Sequence, residues 1–191
     1  MVQAPPSRVR EDRRVRRTQG LLRRALLELL TEQPWESIAI QQICDRADVA
    51  RSTFYNHFAD KEDLLLAGFR ELRGHLEGQM RERGDFLGFV EPLLEHADAH
   101  APVFDAIVGR RTAQVVRQHF VDLIAEILRP WLRDPSVPWS EGKARFAAGG
   151  LVEMLGWWLE NARPVPRGEL RGAMEGLLRQ TVAGEFLERT P

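Results

Sequence analysis

Apolar residues recur at helical spacing along nearly the whole chain, and no stretch alternates apolar and polar positions long enough to predict a strand. From about residue 10 to 32, Leu21, Leu22, Ala25, Leu26, Leu29 and Leu30 form one apolar stripe on a first helix. Its other faces are rich in arginine. Pro34 ends it, because proline cannot continue the hydrogen-bond ladder. Two short helices are predicted near 39–46 and 51–58, joined by the turn "ADVA", and a longer one over about 61–80. Asp60 is well placed to cap the longer helix. Further helices are expected near 86–99, 102–109, 111–133, 141–161 and 167–188, with Pro130 kinking or shortening the third of these. Residues 1–7 read as a mobile tail. The expected fold is all-α with about nine helices. An arm and three-helix helix-turn-helix domain over 1–60 precedes a larger helical domain over 61–191.

Composition changes this picture only slightly. At 43% hydrophobic residues, the 191-residue chain can bury a substantial core. The single cysteine, Cys44, excludes an internal disulfide and fits a reducing compartment. The N-terminus lacks the apolar run of a secretory signal. The most apolar stretch, "FAAGGLVEMLGWWLE", is broken by Glu153, so no membrane partner is expected and a cytoplasmic location is. Net charge is −1, yet residues 1–61 carry 11 Lys/Arg against 8 Asp/Glu, and the rest 16 against 20. A basic front on an acidic body suits contact with a polyanion.

The front also holds the densest candidate chemistry, "STFYNHF" at 52–58. On a helical wheel, Phe54 and Phe58 fall within about 40° of each other, while Ser52, Thr53 and Asn56 point the opposite way. Tyr55 and His57 flank that polar face, and Arg51 opens the helix. Two short helices joined by a tight turn and braced by a longer one form a helix-turn-helix pattern. The phenylalanines would anchor the second helix. Asn56, Ser52 and Thr53 would meet base edges, and Tyr55, His57 and Lys61 would meet phosphate. A catalytic use of His57 with Cys44 is disfavoured, because the wheel turns His57 away from the core whereas Cys44 sits beside Ile43. Enzymatic activity is therefore not expected, and no cofactor is.

"IQQICDRADVARSTFYNHFADKEDLL" resembles the DNA-binding signature of the TetR/AcrR family of bacterial transcriptional regulators. The likeness runs over about residues 10–66. The segment "GWWLENARPVP" is similar to C-terminal domains in one branch of that family. The resemblance implies DNA contacts from Gln41, Arg51, Ser52, Thr53, Tyr55, Asn56, His57 and Lys61. Three positions depart from the family's pattern: Ala39 replaces a capping threonine, Asp48 a turn glycine and Ala50 a capping serine. The arginines at 8, 10, 13, 14, 16 and 17 are open to two readings, contact with phosphate or a minor groove, or a solvated face.

A helix-turn-helix of this kind usually works as a pair on a palindromic site. The two last helices carry small residues and large apolars, and are expected to pair as a four-helix bundle across a two-fold axis. Gly149, Gly150 and Gly156 would permit close approach there, with Leu151, Leu155, Leu177, Leu178 and Phe186 filling the contact. The resemblance further implies a small-molecule effector pocket, for which Phe86, Phe89, Phe104, Trp131, Met154 and Trp157 are the candidate lining residues. His96 and His100 at i, i+4 have metal-ligand spacing, but no third histidine is near in sequence and no metal is expected. The expected protein is a homodimeric repressor of a palindromic operator, released by a small molecule. The alternative is a DNA-binding regulator without a small ligand, either protein-controlled or an activator.

Overall fold

The computed structural model describes residues 6–108, 114–132 and 139–183, and every regular element among them is helical. In chain order these are α1 (Pro6–Glu32), α2 (Ile40–Ala47), α3 (Arg51–Tyr55), α4 (Lys61–Arg83), α5 (Val90–Ala99), α6 (Ala101–Val108), α7 (Gln114–Leu128), α8 (Trp139–Glu160) and α9 (Arg167–Ala183). Single 3-10 turns lie at Trp35–Ser37 and Arg129–Trp131. The chain divides into two compact units, Met1–Gly68 and Phe69–Pro191.

In the first unit α1 packs on α2, and α2 on α3. Leu22, Leu26, Ile43, Phe54 and Leu64 are buried completely. Each such side chain contributes about 1.5–3 kcal/mol by leaving water. Two expectations need correction. The helix already includes residues 6 and 7, which were expected in a tail. Leu21 lies 36% exposed, because it sits about 100° around α1 from Leu22 at the centre of the buried stripe.

Local chemistry explains the element ends. Ala39 cannot cap α2 with a side chain, so Gln42 folds back and accepts the Ala39 N–H at 2.7 Å. At the start of α4, Asp60 accepts the Asp63 N–H at 2.8 Å, and Asp63 accepts the Ala59 N–H at 3.3 Å. This pair of caps holds the helix that follows α3. Pro130 does close α7, which gives way to the 3-10 turn at Arg129.

In the second unit α8 packs against α6, α7 and α9, and α9 also packs on α5. Phe120 joins the core from α7, with its ring 5.9 Å from Phe69 and 5.7 Å from Phe104. Gly156 lets α8 approach α6, since a Cβ there would lie 3.1 Å from the Val108 carbonyl oxygen. Trp158 is buried and donates its indole N–H to the Val165 carbonyl at 2.8 Å. This pins the α8–α9 connection, in which Ala162 and Arg163 are both left-handed (φ 53° and 57°). Glu91 of α5 pairs with Arg167 and Arg171 of α9 at 3.1 and 3.3 Å.

Candidate nucleic-acid interface

α3 is short and amphipathic in the sense the wheel predicts. Phe54 is fully buried and Phe58 is 5% exposed, their rings 5.9 Å apart. Regular helix ends at Tyr55 rather than continuing to Phe58. The chain still turns, because the His57 and Phe58 N–H groups both donate to the Phe54 carbonyl. Two aromatic anchors therefore flank the polar residues and fix their direction. Arg51, Ser52, Tyr55 and Asn56 are exposed, while Thr53 and His57 are half-buried. The Arg51 guanidinium donates to the Tyr55 hydroxyl at 3.2 Å and lies over its ring, 5.6 Å from the centroid. A cation and a phenol are thus presented as one unit, suited to a phosphate.

The turn that aims α3 is built on Asp48, which is left-handed (φ 52°, ψ 49°). The Val49 N–H donates to the Cys44 carbonyl at 3.0 Å and closes the turn. Ala50 supplies no side-chain cap, so only its carbonyl engages α3, accepting from Thr53 and Phe54. Cys44 is 1% exposed, and burial pushes its thiol pKa up. It packs as a small apolar side chain.

Gln41 is exposed on the first turn of α2 and donates its amide to the Asp45 carboxylate at 2.6 Å. One amide N–H and the carbonyl oxygen stay available for a base or a phosphate. Lys61 is placed differently from the expectation. Its ammonium donates to the Trp35 carbonyl at 2.6 Å and the Ile38 carbonyl at 2.8 Å, and sits 4.6 Å from the centre of the Trp35 ring. Burial draws its pKa down, Glu36 raises it, and the carbonyl bonds favour the ammonium form. Lys61 is first a brace between α4 and the loop before α2, with one N–H left over. Trp35 was absent from the expected site. Gln42 was also missed, although glutamine three residues after a cap position is a recognisable signal.

The residues expected in the body do not form one surface. Leu151, Leu155 and Leu178 are at most 4% exposed within the chain's own core, so their expected place in a pairing contact is corrected. Gly156 likewise serves contact within the chain. Gly150 and Leu177 are exposed, and Phe186 lies outside the described residues. Among the pocket candidates, Phe89 and Phe104 are core residues and Met154 is half-buried. Phe86 stacks against Trp131 with centroids 6.1 Å apart. Trp131 and Trp157 are 45% and 46% exposed, so neither stands in the wall of an enclosed cavity in this chain. His96 meets His100 at 4.6 Å and Phe104 at 5.6 Å between ring centres. No group of three or more metal-binding side chains occurs among the described residues.

The arrangement defines a class: a helix-turn-helix nucleic-acid interface on a helical body. Residues 22–67 match the model of the bacterial regulatory proteins of the tetR family. Over these residues the chain carries a TetR-type DNA-binding domain. It is similar to the HTH-type transcriptional regulator YxbF of Bacillus subtilis (strain 168), 46% identical over 55 residues, which are 28% of this chain and 14% of that protein. The likeness to that relative is therefore confined to a small part of its length. The HTH-type transcriptional activator FasR of Mycolicibacterium smegmatis is 25% identical over 178 residues, covering 82% of this chain and 78% of that one. A TetR transcriptional regulator from Streptococcus agalactiae 2603V shares the fold, with a TM-score of 0.65 at 23% identity, covering 89% of this chain and 98% of that chain. No described helix is long and apolar enough to cross a membrane.

Proposed function

We propose that this chain is a cytoplasmic DNA-binding transcriptional regulator that docks α3 in the major groove. The observation that carries this reading is α3 itself. Two buried phenylalanines fix it, and Arg51, Ser52, Tyr55 and Asn56 project into solvent. Asn56 has the chemistry to pair bidentately with adenine, and Ser52 and Thr53 to bond either base edges or phosphate. The Arg51–Tyr55 pair, His57 and the remaining N–H of Lys61 suit phosphate, which sets register without reading sequence. Gln41 faces either. Asn56→Ala should relax base preference at one position of a selected duplex, whereas Tyr55→Phe should weaken all sequences about equally. The reverse pattern would exchange the two roles.

The regulator acts as a homodimer on a palindromic operator. Support comes from apolar surface on the last two helices: Phe146 is 75% exposed, Trp157 46% and Leu177 52%. Phe146, Gly150 and Trp157 follow one exposed line of α8, and α9 adds Gly176 beside Leu177. Sedimentation at micromolar protein should give twice the chain mass, and Phe146→Arg with Trp157→Arg should halve it. In the leading reading the dimer represses, and a small molecule held in the second unit releases it. A ligand that stabilises the protein thermally and lowers operator affinity would support release, because it must favour one conformation over another. Activation is the second reading, favoured by the extended likeness to FasR. A reporter driven from the chain's own operator decides: deletion raises expression under repression and lowers it under activation.

A further inference from the structure

The positive charge of the first unit is concentrated in α1, outside the sequence of the helix-turn-helix proper. Residues 8–24 carry eight arginines and two carboxylates, a net charge of +6. Residues 25–61, which hold the helix-turn-helix proper, carry three Lys/Arg and six Asp/Glu, a net charge of −3. Two of those three cations are already engaged. Arg46 grips Glu32 in a bidentate pair at 2.8 and 2.7 Å, and Lys61 is bonded to carbonyls. With the Arg46–Glu32 pair set aside and Lys61 turned to carbonyls, Arg51 is the one cation of this segment that reaches neither a carboxylate nor a backbone carbonyl, against five remaining carboxylates. A duplex carries one negative charge per ~1.7 Å of axis, so this surface alone would be poorly attracted to it.

We infer that α1 from Arg13 to Arg24 is an arginine ridge that grips the DNA backbone and supplies most of the sequence-independent affinity. The inference rests on the DNA-binding reading above. α1 is helical from Pro6, so the ridge is a rigid element rather than a loose arm. Arg13, Arg14, Arg17 and Arg24 are all exposed. Arg13, Arg17 and Arg24 lie within about 40° of arc on the side away from buried Leu22, and Arg14 lies at the edge of that face, about 80° from Leu22. None of the four pairs with a described carboxylate. Arg13 to Arg24 spans about 16 Å along the helix. A strand offers a phosphate every ~3.4 Å of axis, so a ridge of that length runs past about five. Guanidinium forks suit phosphate oxygens, and a row of them carries no base information.

The test uses full-length protein, a fluorescent duplex selected from a random pool, and a scrambled duplex, titrated with salt. The variant Arg13→Gln, Arg14→Gln, Arg17→Gln keeps helix propensity and should melt like wild type. Each lost phosphate contact lowers the slope of log affinity on log salt by about 0.9, so the slope should fall by about 2–3. Between roughly 50 and 200 mM salt, that removes about a 40-fold share of the salt-dependent loss. The selected and scrambled duplexes should be affected alike, and the matching Arg→Lys triple should restore the slope. An unchanged slope, or a loss confined to the selected duplex, would overturn the inference while leaving the α3 reading intact. Binding of wild type but not the triple variant to phosphatidylglycerol vesicles, with DNA binding unchanged, would assign the ridge to a membrane surface instead. Wild-type protein that binds no duplex would overturn the ridge and the parent reading together.

Discussion

Replacing Lys61 with methionine keeps the apolar stem and removes only the ammonium. Two carbonyl oxygens, of Trp35 and Ile38, lose charged donors at 2.6 and 2.8 Å. A hydrogen bond to a charged group contributes about 1.5–3 kcal/mol when buried. This site is only partly buried, and water can replace some of the loss, so about 1 kcal/mol each is the working figure. Losing the cation from the face of Trp35 costs another ~0.5–1 kcal/mol. Lys61→Met should therefore destabilise the protein by about 2–3 kcal/mol, read as a lower urea midpoint at unchanged slope. DNA binding by the folded fraction should change its salt slope by less than one unit, since a single N–H remains for phosphate. Wild-type stability combined with a slope lower by about one unit would refute the assignment and make Lys61 a phosphate contact alone.

The turn before α3 predicts a second result. Asp48→Gly should raise stability by about 0.5–1 kcal/mol, because it relieves a left-handed L-residue, whereas Asp48→Asn should leave stability nearly unchanged. Thermal melts of both variants check it. Gly156→Ala should destabilise by about 1–3 kcal/mol through collision with the Val108 carbonyl, while Gly142→Ala, which meets nothing within 4 Å, should gain up to about 1 kcal/mol from helix propensity. Paired denaturation curves would show the opposite signs. His96 has its pKa lowered by burial first, then by His100 and His75, so the unfolded chain binds this proton more readily than the folded one. Stability should therefore fall as pH drops from about 6.5 toward the folded pKa, and His96→Phe should blunt that fall in melts across the range.

The helical plan and the anchors of α3 were legible because they depend on short-range periodicity. Phe54 and Phe58 share a face at i, i+4 whatever surrounds them, and Asp60 caps α4 through a local bond. The bracing bonds of Lys61 were not legible because its partners, Trp35 and Ile38, are more than twenty residues away in sequence. The same limit governed the body. Leu151 and Leu155 are as apolar as an interface requires, but only the packing of α8 against α6, α7 and α9 determines that they are consumed inside the chain. Phe146, 75% exposed, has the better claim to a surface role and was not singled out. Its helical line with Gly150 and Trp157 could have been found on a wheel. Effector residues were least legible, since an aromatic side chain in a core and one beside a ligand carry the same pattern.

The central claim is that α3 reads DNA sequence as half of a symmetric pair. Its most direct measurement is selection of bound duplexes from a random pool by the full-length protein, repeated with Asn56→Ala. The account predicts an enriched inverted repeat for wild type, with half-sites about one helical turn apart or a multiple of it, and lost preference at one position of each half-site for the variant. No enriched inverted repeat, or the same preference from both proteins, would contradict it.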